Sequence, residues 1–156
     1  MADPKLPAVH VFKVALAGAK RTWRRIAIRD DQTLDDLHES IFALFHRYEL
    51  HLYSFFFTLP GAKGRNWMEG AKEYTSPLHF DSNHVGRGVR NASKTHLREL
   101  PLEVGQVFVY IFDFGDDIRH EVTVEKLDLP VEEKAIYPKM IESKGASPDQ
   151  YPISED

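Results

Sequence analysis

Val107-Phe-Val-Tyr-Ile-Phe-Asp113-Phe-Gly115-Asp116-Asp117-Ile-Arg-His120-Glu-Val-Thr-Val124 is the stretch whose reading decides the fold. Two runs rich in β-branched and aromatic residues flank a short turn signal, the pattern of a β-hairpin. Gly115 and Asp116 suit the two central positions of a tight turn, with glycine first, where a positive φ meets no Cβ. That turn sets Ile111 opposite His120 and Asp113 opposite Ile118. The second run alternates: Ile118, His120, Val122 and Val124 point one way, and Arg119, Glu121, Thr123 and Glu125 the other. His120 is therefore predicted on the apolar face with Asp113 diagonal to it, and with Asp116 and Asp117 at the lip.

Working outward, Val9–Leu16 reads as a first strand, with Phe12, Val14 and Leu16 on one face and Lys13 and Ala15 on the other. Gly18 and Lys20-Arg21 form a turn, and Trp23–Ile28 returns with Ile26 and Ile28 on one face and Arg25 on the other. Thr33 is a helix N-cap with Asp35 and Asp36 in the first turn, where the helix dipole favours negative charge. Leu34, Leu37, Ile41, Leu44 and Phe45 follow helical spacing, which predicts a helix over Leu34–Arg47 with His38 at the edge of its apolar stripe. His51–Leu59 is a third strand with aromatic residues on both faces, expected to be central and covered. Residues 61–105 are irregular and glycine-rich, with short strands expected at Ser76–Phe80 and Thr95–Leu100. Met1–Ala8 is a loose lead-in, and residues 130–156 a turn-rich, acidic tail that frays at its end.

A chain of 156 residues in this composition is one domain with a full hydrophobic core. There is no cysteine, which excludes disulfides, thiolate metal sites and cysteine nucleophiles. No apolar run approaches the ~18 residues of a membrane span, and no signal-peptide stretch is visible, so a cytoplasmic protein without membrane partners is expected. The net charge of −4 conceals an asymmetry. Pro60–Arg98 carries seven basic and three acidic residues, whereas Asp113–Asp156 carries five basic and twelve acidic. Such a basic segment either meets an anionic partner or is simply a solvated loop.

Several short matches carry nothing. Asp113-Phe-Gly115 resembles the magnesium triplet of protein kinases without their other motifs. Gly61-Ala-Lys-Gly64 follows a strand, not the helix of a KH clamp. Gly86-Arg-Gly88 lacks the third glycine of a dinucleotide fingerprint. Asp113, Asp116 and Asp117 lack calcium-loop spacing. Lys20, Arg21, Trp23, Arg24 and Arg25 interleave cations with an aromatic, which suits phosphate gripping and base stacking as well as an ordinary charged turn.

The cluster of Asp113, Asp116, Asp117 and His120 admits three readings. In a structural one, Asp113 accepts bonds from turn amides or from His120 and pins the hairpin. In a metal reading, Asp113, Asp116 and His120 bind a divalent ion, with His38 or His51 completing the shell. In an acid/base reading, Asp113 orients the His120 tautomer for catalysis.

Trp23-Arg-Arg-Ile26, Leu34-Asp-Asp-Leu-His38, His51-Leu-Tyr-Ser-Phe55 and Tyr110-Ile-Phe-Asp-Phe-Gly-Asp-Asp-Ile-Arg-His-Glu121 together resemble the plasmid-Ri ORF-three-like family, over about Val9 to Leu127. Members are also labelled insertion-element passengers or resolvase-like proteins, and the resemblance implies an α+β fold and a mobile-element setting. Ile118 stands where many members have Trp, and Ala146-Ser-Pro-Asp149 where many carry a cysteine run, so a thiolate site of those relatives cannot exist here. The serine or tyrosine constellation of a recombinase is absent.

The expected architecture is a single α+β domain. A mixed or antiparallel sheet of about five strands packs on one main helix, in a β-grasp-like order of β-β-α-β followed by the hairpin. The expected function is a non-enzymatic binding module for nucleic acid or another anionic partner, with Arg24, Arg25, His38, His51, Asp116 and Asp117 as binding candidates. The alternative is a metal-assisted or acid/base enzyme centred on Asp113, Asp116 and His120. No cofactor is predicted, with a divalent metal open as a possibility.

Overall fold

A computed structural model describes residues 6–59, 61–62, 64–82, 85–86 and 88–147. Most of the lead-in, His84 and the tail beyond Ser147 lie outside the described residues. In chain order the elements are β1 (Val9–Leu16), β2 (Ala19–Arg29), α1 (Leu34–Leu44), β3 (Tyr53–Phe57), β4 (Lys72–Thr75), α2 (Pro77–Asp81), β5 (Arg90–Asn91), β6 (Val107–Phe112), β7 (Ile118–Leu129) and β8 (Lys139–Lys144). The eight strands form one sheet in the order β5-β4-β3-β6-β7-β1-β2-β8.

This corrects the expected sheet of about five strands on one main helix. β1 runs antiparallel to both β2 and β7, so the parallel central pair of a β-grasp is absent. The parallel pairing among the described strands is β4 with β5. The sheet dominates the molecule, and an α+β label fits it poorly. The extra strands came from segments without apolar alternation. β5 is two residues long, and β8 is an edge strand with mostly exposed side chains, so neither needed a hydrophobic pattern. Ser76–Phe80, expected as a strand, instead starts α2 with Pro77 in its first turn. Thr95–Leu100 is a 3₁₀ turn at Leu97–Glu99, tied by a single bridge from His96 to Thr33.

α1 begins as its sequence dictates. Thr33 accepts from the Asp36 amide at 3.1 Å, and the Asp36 carboxylate accepts from the Thr33 amide at 2.9 Å, a closed capping box. It ends earlier than predicted. His46 turns left-handed (φ 55), its amide bonding Ala43 O while the Arg47 amide bonds Phe42 O, a Schellman closure with histidine in the usual glycine place. That closure sends Arg47 back under the helix.

Phe12, Val14, Ile26, Ile28, Phe55, Phe108, Tyr110, Val122 and Val124 pack beneath Leu34, Leu37, Ile41 and Phe45 of the helix, forming the main core. The opposite sheet face is covered at one end, where Leu129, Val131 and Tyr137 pack on Val9, Val11 and Ala27.

The hairpin forms, but its register differs from the expected one. Phe112 pairs with Ile118 and Tyr110 with His120. The connection is five residues, Asp113–Asp117, with left-handed φ at Asp113 (64) and Asp117 (51). A one-residue slip moves every side chain to the other face. Phe108, Tyr110 and Phe112 therefore line the core, and Ile111 faces away from it.

Candidate functional site

The hairpin cluster does not converge. Asp113 leaves the strand, its amide bonding Leu52 O at 2.9 Å. It is 7% exposed, and Oδ1 accepts from the amides of Gly115 (3.1 Å) and Asp116 (3.3 Å), while Oδ2 lies 3.4 Å from His51 Nε2. This is a turn-pinning carboxylate. Asp116 and Asp117 are exposed at the tip.

His120 lies elsewhere, at 0% exposure. Its Nδ1 is 3.3 Å from the Tyr110 carbonyl and its Nε2 3.3 Å from the Arg47 guanidinium. A carbonyl only accepts and a guanidinium only donates, so Nδ1 carries the proton and Nε2 receives. Both nitrogens are committed. Burial first, then the Arg47 charge, lowers the His120 pKa to about 3. A neutral, sealed imidazole with no free lone pair has none to offer a substrate or an ion. The metal and acid/base readings of Asp113, Asp116 and His120 thus lose the geometry they require.

Asp113→Ala strands two turn amides and is expected to destabilise the fold by about 1–3 kcal/mol. Asp113→Asn should cost less, because asparagine keeps one acceptor and tolerates the left-handed backbone. Urea unfolding of the three proteins checks this; equal stabilities would contradict the pinning role.

The basic cluster splits between faces. Arg24 points inward, over the Phe45 ring, and donates to the carbonyls of Leu44 (3.1 Å), Trp23 (2.9 Å), Lys144 (3.0 Å) and Gly145 (3.1 Å) and to Ser147 Oγ (2.8 Å). It clamps the end of α1 to the end of β8, where a cation also meets the helix dipole. Arg24 was expected to bind a partner, but strand alternation puts it on the same face as Ile26, turned inward. Arg25 points outward, paired with Glu125 at 2.5 Å and with Glu142.

His38 is buried in a polar chain beneath α1. Its Nδ1 meets the Tyr110 hydroxyl at 2.6 Å, and its ring stacks on Tyr53 at 3.8 Å. The Tyr53 hydroxyl donates to Asp35. Burial lowers the His38 pKa to about 3 and raises those of both tyrosines, so all three stay neutral. Ser54, Thr75 and His79 form another chain, with Thr75 Oγ1 bonded to both other residues at 2.8 Å. Both hydroxyl residues are fully buried, which removes them as nucleophiles.

The residues that do converge lie on the uncovered sheet face. A cavity of about 760 Å³ opens there between the segments around Thr58–Trp67 and Pro101–Gln106, floored by Val109, Arg119 and Glu121. The Arg119 guanidinium stacks over Trp67 at 4.7 Å, and Trp67 meets Phe56 edge-on at 5.5 Å. Arg119 reaches Asp117 only at 3.5 Å, and its buried Nε has no hydrogen-bond partner among the described residues. Glu121 is offset by Lys20 at 3.5 Å. Further along the same face, Trp23 lies between Lys13 (5.0 Å) and Arg25 (4.8 Å). The alternation of β7 placed Arg119 on this face from sequence. Trp67, in the irregular segment, gave no such signal.

No helix among the described residues is long and apolar enough to cross a membrane. The family model described as plasmid pRiA4b ORF-3-like protein matches residues 8–150. No curated protein matches the chain. Among solved structures, a protein of unknown function, MM3350 from Methanosarcina mazei Go1, aligns with TM-score 0.72 and 24% identity, over 94% of this chain and 74% of that one. That likeness concerns the fold.

Proposed function

This chain belongs to the plasmid pRiA4b ORF-3-like family, and within it we propose a non-enzymatic binding module that takes single-stranded nucleic acid on its uncovered sheet face. The observation that carries this reading is Arg119: a guanidinium stacked on an aromatic ring, lining a cavity, with a buried donor that has no partner among the described residues. An unpaired buried donor is costly, and phosphate is one of the acceptors whose geometry matches the guanidinium fork. Trp67 beside it offers a ring for base stacking, and the Lys13–Trp23–Arg25 stack offers a second such platform along the sheet. Open sheet faces bearing aromatic and basic side chains are a recurrent way of holding unpaired nucleotides.

The test is fluorescence anisotropy of a labelled single-stranded oligonucleotide titrated with the full chain at low salt. Binding should weaken as salt rises, through counterion release. Arg119→Ala and Trp67→Ala should each weaken it by roughly tenfold, about 1.4 kcal/mol, within the range for one base stack. No binding to single- or double-stranded nucleic acid at low salt would end the proposal. Binding that both variants retain at full strength would contradict the site.

A further inference from the structure

Away from that face, Asp35, His38 and Glu39 stand at i, i+3 and i+4 on α1, so they share one side of the helix. A carboxylate oxygen from each acid and a ring nitrogen of His38 lie within 4.8 Å of one another. We propose that these three residues hold one divalent transition-metal ion, with water completing its coordination at the exposed Glu39 side.

Two observations beyond proximity point to a cation. His38 is 5% exposed, yet its hydrogen bonding is confined to Nδ1, which meets Tyr110; Nε2 has no hydrogen-bond partner among the described residues. A metal-ligating histidine ordinarily uses one nitrogen for the ion and the other for an outer partner. A hydroxyl can serve in that outer role, because it accepts from Nδ1–H as readily as it donates to Nδ1. The second observation is the fixing of Asp35. Its oxygen accepts from Tyr53, whose ring stacks on His38, so two of the three ligands are held by one side chain. Ligation at about 2.0–2.2 Å asks the three ligand atoms to close in from within 4.8 Å of one another, and Glu39 is the exposed member of the group. One imidazole and two carboxylates suit Zn²⁺ and its first-row neighbours.

The comparable group His10, Asp30 and Asp128 lacks this arrangement. His10 Nδ1 accepts from the Asp128 amide at 3.2 Å, and an amide cannot turn round to accept. Nε2 must therefore keep its proton, which excludes it as a ligand. Asp30 Oδ1 accepts from the Ala8 amide and from Arg98, so this carboxylate is paired with a cation that would compete with a metal ion.

Calorimetric titration of the chelator-stripped full chain with Zn²⁺ tests the proposal, and Co²⁺ absorption in the visible region reads the ligand field. One ion should bind per chain. Asp35→Asn and Glu39→Gln should each weaken binding at least tenfold while melting cooperatively, and Asp128→Asn should bind as the parent does. His38→Ala opens the core, so the carboxylate variants carry the decision. Absence of stoichiometric binding at millimolar Zn²⁺ would overturn the proposal. Binding unchanged in both carboxylate variants, or lost only in Asp128→Asn, would do so equally.

Discussion

Tyr110→Ala is expected to lower the unfolding free energy by about 3–5 kcal/mol, the usual cost of emptying a large aromatic site in a packed core. Tyr110 is 1% exposed on the central strand β6, and its ring touches Tyr53, Phe55 and His120. Its hydroxyl holds His38 from below, and its carbonyl holds His120 from the side. Tyr110→Phe separates the two contributions. It fills the space but strands the His38 nitrogen, and should cost about 1–3 kcal/mol. Urea denaturation with unchanged m-values measures both. A phenylalanine variant as stable as the parent would show that the hydroxyl contributes nothing.

Acid should unfold the protein across an unusually early window. His38 and His120 both have pKa lowered to about 3 from an ordinary 6.5, in each case chiefly by burial. Below pH 6.5 the unfolded chain takes up protons on both rings, and the native chain does not until about pH 3. Their contribution to stability is therefore complete above pH 6.5 and is lost as pH falls towards 3. Each group costs about 1.4 kcal/mol per pH unit inside that window. Urea melts at pH 7.5, 5.5 and 4.5 should show a steep decline, and His38→Gln should roughly halve its slope. Stability that is flat from pH 7.5 to 4.5 would contradict the neutral, sealed state of both histidines.

The strands that build the core were legible because they are amphipathic. Val9–Leu16 is β1 to the residue, and the alternation of Ile118, His120, Val122 and Val124 is the alternation observed. α1 was legible from its cap and its stripe of Leu34, Leu37 and Ile41. What failed was of two kinds. β4, β5 and β8 pair through backbone bonds that leave little trace in side-chain pattern, so the sheet looked narrower than it is. The hairpin turn was read from Gly115, whereas the left-handed residues are Asp113 and Asp117. Aspartate tolerates that conformation by bonding its own turn, as Asp113 does. The resulting slip moved β6 by one face and separated Asp113 from His120. The pairing of Arg119 with Trp67 depends on contacts between segments about fifty residues apart, which a single sequence does not display.

Backbone and side-chain NMR of the full chain, titrated with a single-stranded oligonucleotide at low salt, tests the binding reading most directly. Saturable shifts are expected, concentrated at the Trp67 indole, the Arg119 Nε–H and the amides of β6 and β7 beside the cavity. The buried indicators Leu37 and Ile41 should stay still. Shifts confined to the α1 surface or the Asp116–Asp117 tip, or no shifts at all, would contradict it.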